Sequence, residues 1–111
     1  MEMRTAPGLI LEARDQSWRL EPLDDATLII GRDADTDVVL AARFASRVHA
    51  VIRHDQQQYV FEDTSTNGSY VQTEDRKVQF VRRNRLRLWG EGYLSFGEPL
   101  KAESVVRFRV E

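Results

Sequence analysis

Short apolar runs recur along the whole chain, and Gly, Asp, Asn or Pro residues separate them. They cover residues 9–12, 18–21, 27–30, 38–40, 48–53, 59–62, 69–72, 78–81, 86–88, 93–96 and 105–110. Two of them alternate plainly. Leu86 and Leu88 interleave with Arg85 and Arg87, and Val106, Phe108 and Val110 interleave with Arg107 and Arg109. Successive side chains of a strand point to opposite faces, so this alternation predicts strands with one wet and one buried face. No stretch of ten or more residues carries a helical period. Ala41-Ala42-Arg43-Phe44-Ala45 has helix-forming composition but is too short to hold a helix. Eleven short strands with turn residues between them predict an all-β sandwich or barrel. Asp33 to Asp37 reads as a polar loop, and Trp89-Gly90-Glu91-Gly92-Tyr93 as a turn between two strands. Trp18 and Trp89 read as packing residues at the core or an edge.

Composition narrows the class. The chain has 111 residues, the length of one domain, and no linker or repeat divides it. We therefore expect a single domain over 1–111. Hydrophobic residues make up 41% and charged residues 31%, as in ordinary soluble globular proteins. The 16 basic and 18 acidic side chains give a formal charge of −2, which argues against a general nucleic-acid or anionic-membrane binder. One local anion site remains compatible with that balance. The absence of cysteine excludes disulfides, thiolate nucleophiles and zinc–thiolate sites. No apolar run reaches the length of a membrane helix, and the first residues lack a secretory layout, so a cytoplasmic location is expected.

The candidate chemistry lies in three loops. Gly31-Arg32 follows directly on an apolar run, so an arginine with a planar fork of donors stands at a strand mouth. Ser46-Arg47-Val48-His49 enters the strand that continues Ala50-Val51-Ile52. Thr64-Ser65-Thr66-Asn67-Gly68-Ser69 contains the turn dipeptide Asn-Gly, with more hydroxyls around it than a turn needs. Two arginines, several hydroxyls, an amide and loop N–H groups suit a dianionic, oxygen-rich ligand such as a phosphate group. The sequence lacks a phosphate-binding loop with its lysine and any carboxylate–metal motif, so the inventory suggests binding without turnover. No cofactor is expected.

In order and spacing, Gly31-Arg32, Ser46-Arg47-Val48-His49-Ala50 and Asp63-Thr64-Ser65-Thr66-Asn67-Gly68-Ser69 resemble the forkhead-associated (FHA) domain. The segment 90–97 is similar to that family's closing hairpin, and the likeness runs over about 28–110. The resemblance implies an eleven-stranded β-sandwich of two sheets whose loops at one end bind phosphothreonine in a partner protein. By position, Arg32 would contact the phosphate and brace its loop, Ser46 would donate its hydroxyl, and Arg47 would add a charged contact. Thr66 and Asn67 would hold the peptide main chain and shape the threonine pocket, while Gly31, His49 and Gly68 would be structural. Arg43 would reach residues after the phosphothreonine. Ser69 and Gln72 depart from the family's usual threonine and asparagine. The glycines at 90 and 92 with Arg82-Arg83-Asn84-Arg85 resemble variants attached to bacterial nucleotide cyclases.

Blander readings stand beside these. Arg32 would pair with Asp33 or Asp35, Ser46 would cap a turn, and Asn67 would serve only its own turn. Arg83, Arg85 and Arg87 would form one solvated face of a strand. Two other functions compete with the adaptor. One is a phosphate-independent interaction or regulatory module, for instance within a larger protein such as a nucleotide cyclase, using a sandwich face or the arginine strand. The other is a hydrolase with Ser46, His49 and Asp63 as triad, although no nucleophile elbow is present.

Overall fold

The computed structural model describes residues 6–101 and 105–111. It contains eleven strands: β1 (Leu9–Ala13), β2 (Gln16–Leu20), β3 (Thr27–Gly31), β4 (Val38–Val39), β5 (Ala50–Asp55), β6 (Gln58–Asp63), β7 (Ser69–Gln72), β8 (Val78–Val81), β9 (Arg85–Leu88), β10 (Glu91–Phe96) and β11 (Val106–Val110). They form a six-stranded sheet in the order β2-β1-β11-β10-β7-β8 and a five-stranded sheet in the order β4-β3-β5-β6-β9. Every neighbouring pair is antiparallel except β3 with β4. The all-β sandwich of two sheets agrees with the expected architecture.

The alternation in the sequence explains which face of each strand is buried. In β11, Val106 and Phe108 point inward while Arg107 and Arg109 stay exposed. In β3, Leu28 and Ile30 point inward, and in β10 Leu94 and Phe96 do. These side chains meet Ile52, Phe61 and Val71 in one core. Burying such side chains is worth about 1.5–3 kcal/mol each.

Several expected strand ends move by one or two residues, and three differences bear on the site. The strand expected from residue 48 begins at Ala50, because the His49 N–H donates to the Ile30 carbonyl at 2.8 Å and draws 46–49 into a loop packed on the end of β3. The expected turn over 89–93 shrinks to Trp89-Gly90, and Glu91, Gly92 and Tyr93 pair with Arg109, Phe108 and Arg107 of β11. Arg83 does not share the face of Arg85 and Arg87. It lies in the β8–β9 turn with φ 50°, held by its N–H to Asp63 Oδ1 at 3.0 Å.

Candidate functional site

At one end of the sandwich the inward-facing positions change from apolar to polar. His49, Asp63, Ser65 and Ser69 are all buried there. Buried polar groups persist only when paired, and the pairing is complete. The Ser46 N–H donates to His49 Nδ1 at 3.0 Å, so the neutral ring carries its proton on Nε2. That nitrogen faces the Gly68 carbonyl at 2.9 Å and Ser69 Oγ at 3.0 Å. Ser69 Oγ donates onward to Asp63 Oδ2 at 2.6 Å. Burial pushes the His49 imidazole below its ordinary pKa, against the opposing pull of Asp63 and the Gly68 carbonyl.

Asp63 is the hub of this network. Its carboxylate accepts the Ser65 N–H, the Ser65 hydroxyl, the Ser69 hydroxyl and the Arg83 N–H. Ser65 Oγ in turn accepts the Gly68 N–H at 2.7 Å. A single buried anion therefore shapes the turn 64–69 and ties it to the β8–β9 turn. Arg82 Nε and Arg83 Nε reinforce the tie by donating to the carbonyls of Thr66 at 2.8 Å and Ser65 at 3.2 Å.

The three loops singled out in the sequence meet above this base. Arg32 and Asp33 donate their N–H groups to the carbonyls of Ser46 and Arg47. Ser46 Oγ accepts the Thr66 N–H at 3.1 Å, and Asn67 Nδ2 donates to the Phe44 carbonyl at 3.0 Å. Gly31 is required by close approach, since a Cβ there would overlap the Arg47 carbonyl oxygen. Gly68 is required by its φ of 83°.

Each candidate residue has a definite state. Arg32 is exposed, and no hydrogen bond or ion pair engages its guanidinium among the described residues. Asp33, the partner that the bland reading offered it, pairs with Arg47 Nη2 at 3.2 Å instead. The Asp33 carboxyl sits below its usual pKa, first because it accepts the Asp35 N–H and then because of Arg47. Arg47 is thus a shared cation rather than a free one. Ser46 Oγ spends a lone pair on Thr66 and keeps its hydroxyl proton to give. The Thr66 hydroxyl and Asn67 Oδ1 have no partner among the described residues, and Asn67 bridges to a second loop rather than serving only its own turn. Arg43 lies over the Phe44 ring, 5.5 Å from its centroid.

One expectation is narrowed here. The loop N–H groups were counted as free donors for a ligand. Those of Arg32, Asp33, Ser46, His49, Thr64, Ser65, Thr66 and Gly68 are all committed within the chain. Those of Arg47, Val48 and Asn67 have no partner among the described residues, so an anion at this end would be held by side chains together with these few N–H groups. The geometry is also wrong for the Ser46–His49–Asp63 triad, because His49 meets the backbone of Ser46, not its hydroxyl, and the ring is wholly buried. The sequence reading missed Ser65 and the bracing role of Arg82 and Arg83. The usable signal was the run Arg82-Arg83-Asn84 between two short strands, where a turn needs no paired cations. Among the described residues, no group of His, Asp and Glu side chains is placed to hold a metal ion, and no helix is long and apolar enough to cross a membrane.

Comparison with known proteins places this geometry in context. The family model of the FHA domain matches residues 28–97. The FHA-1 domain of Mycobacterium tuberculosis Rv1747 superposes with a TM-score of 0.73 at 24% identity, covering 96% of this chain and 98% of that one. Mycobacterium tuberculosis EmbR in complex with a low-affinity phosphopeptide superposes with a TM-score of 0.70 at 25% identity, covering 94% of this chain and 24% of EmbR. The N-terminal FHA domain of S. cerevisiae Rad53p in complex with a phosphothreonine peptide gives 0.69 at 13% identity, covering 94% of each chain. No curated protein matches the chain in sequence.

Proposed function

The chain belongs to the FHA domain family, and from that premise we propose that it is a non-catalytic signalling adaptor that binds phosphothreonine in a partner protein. One observation carries the reading. Arg32 and Ser46 are joined through their backbones at 3.1 Å, yet the guanidinium of one and the hydroxyl proton of the other are unspent among the described residues. A structural pair would have consumed both. The solved relatives that hold a phosphopeptide or a phosphothreonine peptide share this fold and support the assignment.

In this reading Arg32 and Ser46 hold the phosphate, and Arg47 joins them by exchanging Asp33 for the ligand. The Thr66 hydroxyl and Asn67 Oδ1 engage the peptide backbone. Gly31, His49 and Gly68 keep the three loops in register. Residues 1–111 act as one domain, working in the cytoplasm on substrates of a serine/threonine kinase.

The test is a calorimetric titration with matched phosphorylated and plain peptides. A charge-assisted hydrogen bond is worth about 1.5–3 kcal/mol, so Arg32→Ala and Ser46→Ala each weaken phosphopeptide binding by about ten- to a hundred-fold. Equal affinity for the two peptides removes the proposal.

A further inference from the structure

The phosphate contacts occupy one side of the turn 64–69, and the other side is also cationic. Arg82 and Arg83 each give Nε to a carbonyl of that turn, at 2.8 and 3.2 Å. This hydrogen bond fixes the base of each planar fork and leaves its terminal amino groups unengaged among the described residues. Arg85 follows on β9, exposed and likewise without a side-chain partner among the described residues. The acid opposite it in register, Glu62, is turned to Arg53 Nε at 3.4 Å. The carboxylate of Asp63 points inward to its own donors. Arg83, Asn84 and Arg85 line an open groove of about 510 Å³ together with Glu62, Asp63 and Thr64. Arg82, Arg83 and Arg85 thus stand beside the recognition turn of a chain of net charge −2, with no ion pair among the described residues.

The geometry points to a second anion subsite, formed by Arg82, Arg83 and Arg85, that reads an acidic residue or a second phosphate in the same phosphothreonine peptide. This rests on the adaptor reading above and extends it to the class of partner sequence. Thr66 sets the spacing. Its N–H goes to Ser46 Oγ and its carbonyl to Arg82 Nε. One residue separates the two contacts, so Arg82 Nε lies within about 10 Å of Ser46 Oγ. An extended peptide advances about 3.3–3.6 Å per residue, which keeps the second acidic group within about three residues of the phosphothreonine. Two cations with fixed forks favour an oxygen pair over a neutral amide. Because the site is open to solvent, its contribution is modest and sensitive to salt.

The test starts from a degenerate phosphothreonine peptide library screened on the full chain. A selected sequence is then made with Glu or Gln at each single position from three before to three after the phosphothreonine. The expected result is a three- to tenfold preference for Glu over Gln at one of these positions, larger for phosphoserine and reduced at ~0.5 M NaCl. The preference is expected to vanish in Arg82→Gln/Arg83→Gln and to fall in Arg85→Gln. A variant that merely loosens the turn weakens both peptides alike and leaves their ratio unchanged. The Arg85 side chain has no partner among the described residues, so its variant keeps the fold. Glu and Gln peptides binding equally at every position overturns the subsite, as does a preference that survives in both variants. Failure of the adaptor reading is distinct: phosphorylated and plain libraries would then be retained alike, and the subsite would fall with it.

Discussion

Replacing Asp63 by asparagine keeps the shape of the hub and removes its charge. The buried carboxylate receives only donors. In Asp63→Asn the retained oxygen keeps the N–H groups of Ser65 and Arg83 and the Ser65 hydroxyl, all within 3.0 Å of Oδ1. The new amide replaces Oδ2, where Ser69 Oγ donates at 2.6 Å. That hydroxyl, already accepting from His49, then has no acceptor for its own proton. A lost charge-assisted bond with a stranded buried donor costs about 2–3 kcal/mol. Relief of the carboxylate's own desolvation offsets part of this. We expect a net loss of about 2 kcal/mol, or a Tm lower by about 8 °C for a domain of this size. Differential scanning calorimetry measures it, and phosphopeptide titration follows the looser turn. An unchanged or raised Tm refutes the reasoning, because desolvation would then outweigh the network.

Three further outcomes follow from the same coordinates. His49 has a lowered pKa in the fold, so the unfolded chain takes the proton first; stability is whole above about pH 6.5 and declines as the pH falls further. Urea midpoints from pH 7.5 to 5 check this, and a flat profile contradicts it. Gly31→Ala is expected to destabilise more than Gly68→Ala. The first meets the backbone carbonyl of Arg47, whereas the second pays mainly the left-handed φ, about 1–2 kcal/mol, and meets the movable end of the exposed Phe80. Thermal melts that rank them the other way contradict the argument. The β5–β6 turn holds Gln56 and Gln57 at φ 49° and 65°, a mirror-image turn built from residues that disfavour it. Gln56→Asn with Gln57→Gly is expected to raise stability by about 1 kcal/mol, read as a higher denaturant midpoint.

The strands were legible because their signal is local. The period of two in 85–88 and 105–110 reports burial directly, and Pro, Gly and Asp mark where runs stop. The boundaries that moved were set by partners distant in sequence. Ala50 starts β5 because His49 binds Ile30, and Glu91 joins a strand because Arg109 lies opposite. The three loops were legible as chemistry, since hydroxyls and arginines exceed the needs of a turn there. Which atoms remained free was not legible. Arg47 and Asp33 lie 14 residues apart, and only the folded chain shows that they pair while Arg32 stays unpaired among the described residues. Asp63 looked like one member of a weak triad, because no local pattern shows that a single carboxylate serves two turns.

The distribution of spent and unspent groups separates two kinds of residue at this end of the sandwich. Shape is carried by buried groups that have used all their hydrogen bonds: His49, Asp63, Ser65 and Ser69. Charge is carried by exposed arginines: Arg82 and Arg83 are anchored through Nε, Arg47 is paired with Asp33 through Nη2, and Arg32 and Arg85 have no side-chain partner among the described residues. Most loop N–H groups are committed to the fold, which leaves those of Arg47, Val48 and Asn67 as backbone donors for an anion among the described residues. Affinity then depends mainly on side chains whose removal leaves the base intact. Changes at the buried hub are therefore expected to lower Tm and affinity together, while changes at Arg32 or Arg85 lower affinity alone. The β8–β9 turn belongs to both kinds, because Arg83 gives its N–H to the hub and its side chain to the rim. Its backbone contact survives any side-chain substitution. Truncating that side chain thus tests recognition with the hub still closed.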